Sequence, residues 1–249
     1  VACGQCRGCR LDRSREWAIR CVHEASLHER SCFVTLTYAE LPTGGSLELR
    51  DWQLFAKRVR KNVGPFRFFH CGEYGEETDR PHYHAAIFGL DFRKGARLHS
   101  RNHQGDALYV SPLLEELWPH GFAPVGALTW QSAAYIARYV MKKQTGQAAK
   151  EVYGDRRPPY VTMSRRPGLG DGWFEKFGNE VFPADEVVLE GKKFQPPRYY
   201  DRKLGDEELA EVKARRIERV KPEDNTPERL EVRERVAEAR LGRLSRGSV

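Results

Sequence analysis

Three groups of side chains in this sequence stand at spacings that regular secondary structure would bring together. His82-Tyr83-His84 reads as strand, in which residues two apart share a face, so both imidazoles converge on one divalent ion while Tyr83 turns to the opposite side of the sheet. Glu73 lies on the preceding strand-like run, 66–74. If the polar loop 75–80 closes a hairpin, that carboxylate comes beside the histidines and completes a Glu/His/His set with open coordination positions. Glu76 is the rival third ligand, because spacing alone does not fix the register. This donor set suits Mn²⁺ or Mg²⁺ acting on a phosphodiester, and imidazole also accepts Zn²⁺.

The third group is Tyr135-Ile136-Ala137-Arg138-Tyr139-Val140-Met141-Lys142-Lys143. Residues four apart on a helix share a face and rise by about 6 Å, so both phenols can point at one place. Arg138, Lys142 and Lys143 surround them with positive charge able to hold phosphate and favour phenolate. A phenol with an ordinary pKa of about 10 is a poor nucleophile until a base, a cation or a metal-bound substrate helps it. With that help, Tyr135 or Tyr139 attacks a phosphate in line and expels a 3′-hydroxyl, leaving a reversible 5′-phosphotyrosine bond. The plain reading of the same tyrosines is an aromatic stripe packing a helix on a sheet.

Positioning these groups takes a sheet and at least two helices. Residues 32–38 are β-branched and aromatic, as in a central strand, and 49–63 carry Trp52, Phe55, Ala56 and Val59 at helical spacing. Strands are expected over 66–74, 82–89 and 121–129, a short helix from Pro112, and a strong helix over 131–143. Residues 91–110 read as a polar excursion, so strand then helix is the opening unit. The order β-α-β-β-(α)-β-α favours an α+β fold, an antiparallel sheet flanked by helices, over a doubly wound parallel one. The expected organisation is a domain over 1–145 that carries these groups and the cysteine-containing N-terminal segment, an ordered extension over 146–202 and a charged helical tail over 203–249, its two helices broken near Pro222–Pro227.

The 249 residues carry a net +7 and a mean hydropathy of -0.67. No apolar run approaches the ~18 residues of a membrane span, which excludes a transmembrane protein. The chain opens on Val1 without a basic stretch followed by an apolar one, so it does not read as secreted, and its start suggests that the true N-terminus lies upstream. The positive excess resides in the first 202 residues and fits a nucleic-acid binder, as it fits many ordinary enzymes. Of the six cysteines, Cys3, Cys6 and Cys9 crowd together. A structural zinc or other metal there needs a fourth ligand from Cys21, Cys32, Cys71 or upstream, and plain reduced thiols are the alternative.

Taken together, these motifs resemble the HUH endonucleases, specifically the replication initiation proteins of small single-stranded DNA bacteriophages, the microviruses. Phe33–Tyr38 is similar to the first motif of that family, Pro81–Gly89 to its His-hydrophobic-His motif with Tyr83 in the hydrophobic slot, Glu73 to its upstream acidic ligand, and Tyr135–Lys143 to its two-tyrosine helix. Arg138 stands where many relatives place lysine. The resemblance implies a ferredoxin-like or RRM-like core and a metal-dependent nicking and strand-transfer enzyme in the cytoplasm of an infected bacterium. It implies a substrate of single-stranded or locally melted origin DNA, and a host helicase and polymerase as partners. Arg58, Lys61, Arg67 and Arg80 would then track phosphates. Two other classes compete: a non-catalytic single-stranded nucleic-acid-binding protein, and a metal-dependent nuclease in which water attacks.

Overall fold

The structure, a computed structural model, describes residues 6–102, 105–142 and 147–245. Its elements run α1 (Arg7–Ala25), β1 (Ser31–Thr37), α2 (Leu49–Asn62), β2 (Arg67–Tyr74), β3 (Pro81–Phe88), β4 (Arg97–Arg101), β5 (Ala107–Val110), α3 (Pro112–Leu117), β6 (Pro124–Ala127) and α4 (Trp130–Lys142). Beyond these come α5 (Gln147–Tyr153), β7 (Tyr160–Met163), α6 (Asp171–Ala184), β8 (Val187–Leu189), β9 (Lys192–Phe194), α7 (Arg198–Asp201), α8 (Asp206–Glu218) and α9 (Pro227–Ser245). Seven strands form one antiparallel sheet in the order β4-β5-β6-β1-β3-β2-β7, and β8 pairs with β9. The fold is α+β, with helices flanking that sheet.

Alternation along the central strands divides the core. Cys32, Val34 and Leu36 of β1 and Tyr83, Ala85 and Ile87 of β3 face α2 and α3, where Trp52, Phe55, Val59, Leu114 and Trp118 are buried with them. Phe69 and Cys71 of β2 and Ala86 and Phe88 of β3 face the other way, under Ala133, Ile136, Ala137 and Tyr139 of α4 and Ala18 and Cys21 of α1. On the α2 side, the Tyr83 hydroxyl accepts from the Glu48 N–H at 2.9 Å, donates to the Glu48 carbonyl at 3.0 Å and lies 2.8 Å from the Tyr38 hydroxyl. Tyr38 in turn donates to Asp51 at 2.6 Å. Satisfying those buried hydroxyls holds β3 with its histidines turned to the α4 side.

Three local expectations are corrected. The opening unit is a helix, α1, which no apolar stripe announces because its buried face includes Arg20, His23 and Glu24 beside Ala18, Ile19 and Cys21. Arg20 is accommodated there by donating to the Leu169 carbonyl at 2.9 Å and lying 3.7 Å over the Tyr199 ring. The polar excursion contains a hairpin, β4–β5; every residue of β4 is exposed, so no alternation announces it. The region after α4 supplies a seventh strand, β7, on the open edge of β2.

Among the buried histidines, His23 and His70 are held neutral by the fold. His23 stacks on Trp173 at 3.5 Å with Nδ1 2.7 Å from the Tyr200 hydroxyl, and burial pushes its pKa down to about 3. His70 stacks on Trp52 at 3.7 Å, and burial, followed by its neighbour His84, holds it well below the ordinary imidazole value. Both stay neutral in the fold while the unfolded chain protonates near pH 6.5. For His23 the contribution is therefore present above about pH 6.5 and lost as pH falls from there toward 3, at about 1.4 kcal/mol per pH unit; His70 acts in the same direction. We expect His23→Gln to flatten the acid limb of urea-unfolding stability by about one proton between pH 6 and pH 4. An acid limb as steep as that of the unsubstituted protein would show that His23 is not held neutral.

Candidate metal centre and tyrosine pair

The β2–β3 hairpin places Glu73 directly opposite His82, and His84 opposite Cys71. The turn closes through Gly75 and Arg80, with Glu76 exposed on it and outside the cluster. On the α4 side, one Glu73 carboxylate oxygen lies 3.1 Å from His82 Nε2 and 2.9 Å from His84 Nε2. One ligand atom each from Glu73, His82 and His84 falls within a 4.8 Å span, and no other such trio of His, Cys, Asp or Glu occurs among the described residues.

Whether these residues fit a cation is decided by their outer nitrogens. His82 Nδ1 is 3.1 Å from the Arg80 carbonyl, which can only accept, so the proton sits on Nδ1 and Nε2 presents a lone pair. His84 Nδ1 lies 2.9 Å from Thr35 Oγ1, and Nδ1–H donation to that hydroxyl leaves His84 Nε2 in the same state. Fixing tautomer and ring plane in this way is what supporting groups do in metal sites. Burial alone would raise the Glu73 pKa, but the close approach of His82 and His84 brings it down to about 2. His84 is shifted below the ordinary value, chiefly by burial. A carboxylate that stays charged, with two imidazole nitrogens facing the same point, makes a divalent-cation site.

Helix α4 crosses above this trio. Ala133, Ile136 and Ala137 are buried against the sheet and α1, so Tyr135 and Tyr139, one turn apart, come to lie over the ligands. The Tyr135 hydroxyl is 3.4 Å from the Glu73 carboxylate and 3.5 Å from His84 Nε2, and Tyr139 donates to Tyr135 at 2.9 Å. Burial, then the Glu73 charge, pushes both phenols above their ordinary pKa; for Tyr135 the Tyr139 hydrogen bond and Arg138, 5.0 Å over its ring, act in the opposite direction. The arrangement brings a cation-binding trio, two protonated phenols and one guanidinium into contact range.

The remaining expected residues are distributed differently. Lys142 ends α4, and Lys143 and Cys3 lie outside the described residues. Cys6 precedes α1 and Cys9 is buried on it, neither in a three-ligand group among the described residues. Three of the four expected phosphate-tracking cations have partners inside the fold. Arg58 donates to the Leu117 carbonyl, Arg67 bridges Glu24 and the 167–168 carbonyls, and Arg80 holds the carbonyls of Tyr38 and Ala39. Lys61 is exposed on α2. Thr35 was legible only as a strand residue; its signal was period-two spacing with Thr37, which puts a hydroxyl across from each histidine.

A family profile described as a replication-associated protein of the ORF2 type matches residues 31–144, the span that carries the trio and both tyrosines. The chain is 34% identical over 243 residues to replication-associated protein VP4 of Bdellovibrio phage phiMH2K, covering 86% of this chain and 76% of that one. It is 29% identical over 225 residues to replication-associated protein ORF2 of Spiroplasma virus 4, covering 82% and 67%. Against replication-associated protein ORF4 of Chlamydia phage 1 the identity is 30% over 210 residues, covering 80% of this chain and 52% of that relative, about half its length. No solved structure matches the chain significantly.

Removing the Thr35 hydroxyl without changing its shape tests the role of the outer hydrogen bond. Thr35→Val is expected to weaken Mn²⁺ binding, measured by calorimetry, about 10- to 100-fold with unfolding temperature within a few degrees of the parent. Unchanged affinity would mean that His84 is oriented by packing alone.

Proposed function

Because the chain belongs to the HUH-type replication-associated proteins of small single-stranded DNA phages, we propose that it starts rolling-circle replication by nicking single-stranded origin DNA through a tyrosine and later rejoins the displaced strand. It is a metal-dependent nicking enzyme. The observation that carries the finer reading is the Tyr135 hydroxyl standing within 3.5 Å of two ligand side chains, with Tyr139 hydrogen-bonded behind it.

Glu73, His82 and His84 would hold Mg²⁺ or Mn²⁺, which would supply positive charge to the scissile phosphate. Tyr135, whose hydroxyl is within 3.5 Å of Glu73 and His84, attacks first, in line with departure of the 3′-hydroxyl. Its new bond is to the 5′ phosphate of the downstream fragment. Since burial and Glu73 keep the phenol protonated at neutral pH, proton loss accompanies attack, and Arg138 over the ring favours the anion that forms. Tyr139, at the same face one turn along, is placed to take the second phosphodiester in termination, returning the 3′-hydroxyl of the completed strand to the Tyr135 adduct. The bond energy is conserved at each exchange, so no nucleotide hydrolysis is required for joining.

A host polymerase extends the exposed 3′ end and a host helicase separates the strands. The reaction belongs to the cytoplasm of an infected bacterium; no described helix is long and apolar enough to cross a membrane. Structural zinc at Cys3, Cys6 and Cys9 remains a proposal that rests on their spacing alone.

An oligonucleotide labelled at its 3′ end distinguishes this chemistry from attack by water. With Mn²⁺ the label is expected to migrate with denatured protein, and EDTA is expected to prevent it. Tyr135→Phe should slow adduct formation at least about a hundredfold, Tyr139→Phe should spare the first adduct but lose strand joining, and the double substitution should lose both. Free fragments without adduct would assign the nucleophile to water.

A further inference from the structure

The metal centre occupies one end of a row that continues across the sheet. Glu73 on β2 pairs with His82 on β3, and His82 with Thr37 on β1. Thr37 in turn receives Phe122, since its N–H donates to the Phe122 carbonyl at 3.0 Å and its hydroxyl to the same oxygen at 2.9 Å, three residues beyond the Val34–Val125 pair in the same β1–β6 register. Partners in register share a face, so the Phe122 ring belongs to the face of His82 and His84. Two strand spacings put it roughly 10 Å from His82 across the sheet.

Phe122 is 40% exposed, and His99 from the β4 bulge packs on it with ring centroids 4.9 Å apart. Neither ring joins the hydrophobic cluster under α1 and α4, which covers the β1, β3, β2 and β7 part of this face. Arg97 lies on the same face through the parallel row His84, Thr35, Pro124, Val110 and Arg97, and it is exposed, as is Lys94 before it. Of the nearby acids, Asp91 is held by Arg93 at 2.6 Å and Asp106 accepts from Asn102 at 3.1 Å. Gly121 permits the approach, since a Cβ there would stand 2.4 Å from the Ala39 nitrogen and 2.7 Å from the Thr37 carbonyl oxygen.

We propose that Phe122 and His99 form a base-stacking platform, flanked by Arg97, for the nucleotides next to the scissile phosphodiester of single-stranded DNA. The choice of ligand rests on the nicking reading above. An exposed aromatic pair beside cations, on a sheet face continuous with the catalytic row, fits an unpaired base and its phosphate, whereas paired bases offer no exposed ring face. The platform replaces the phosphate track expected from Arg58, Arg67 and Arg80, whose guanidiniums brace the fold.

The test is binding in EDTA, where nicking does not occur, with fluorescent oligodeoxythymidylate carrying one central 2-aminopurine, against its oligodeoxyadenylate duplex. Phe122→Ala is expected to weaken single-strand binding about five- to hundredfold and to lose 2-aminopurine quenching, with Phe122→Trp restoring both. Arg97→Ala should instead lower the slope of log affinity against log salt by about 0.7. His99→Ala, which leaves the Thr37 contact of residue 122 intact, should lose part of the quenching and serves if Phe122→Ala unfolds. Full affinity in both alanine variants, or equal weakening toward duplex, would overturn the platform. So would self-association abolished by Phe122→Ala with DNA binding unchanged, since the patch would then join copies of the chain. Adduct formation by the unsubstituted protein is read separately: its absence with these binding effects intact would remove the nicking reading alone, and its presence without them would remove the platform alone.

Discussion

The site depends on a carboxylate kept charged where water hardly reaches. Glu73 is 3% exposed, and an ionised group at such a position requires compensation close by. Two imidazole nitrogens stand against it, and its charge is one that a divalent cation can neutralise. The same carboxylate raises the pKa of the phenols above it. Ligand set and nucleophile are thereby coupled through one charge: whatever neutralises Glu73 removes part of the penalty on forming phenolate at Tyr135.

Holding that charge in place uses both sides of the sheet. Tyr83 is locked on one side by Glu48 and Tyr38, and this fixes the rotation of β3 that presents His82 and His84 on the other. Thr35, from the neighbouring strand, orients the second imidazole, and the Arg80 carbonyl orients the first. Farther out, Glu24 of α1 accepts from Arg67 of β2 and from the Gly170 N–H, tying helix, strand and the loop before α6 at one point. Rigid elements therefore carry every group of the trio, as precise geometry demands.

What could be read from the sequence was whatever has a short period. His82 and His84 at spacing two, Glu73 across a tight hairpin, and Tyr135 and Tyr139 at spacing four are local relations that backbone geometry enforces. The antiparallel sheet followed from the element order. By contrast, α1 was hidden because Arg20, His23 and Glu24 occupy its buried face, and β4 because all its residues are exposed. The destinations of Arg58, Arg67 and Arg80 were illegible for a different reason. A basic residue advertises charge, but whether it meets a phosphate or a carbonyl of Leu117, Pro167 or Tyr38 is decided by tertiary neighbours up to about a hundred positions away.

On the two-tyrosine reading proposed above, the packing of α4 also constrains how both phenols would share one cation. Its inner face is Ala133, Ile136 and Ala137 against Ala18 and Cys21 of α1, mostly small side chains that let the helices approach closely and leave little room for sliding. A one-turn shift of the helix, about 5.4 Å, would break that interlock along with the contacts of Tyr139. Exchange between Tyr135 and Tyr139 is therefore cheaper by side-chain rotation and movement of the DNA than by movement of the helix. The 2.9 Å hydrogen bond between the two hydroxyls shows that they already meet at one point, so a modest turn of either ring suffices to bring the second phenol to the phosphate the first has vacated.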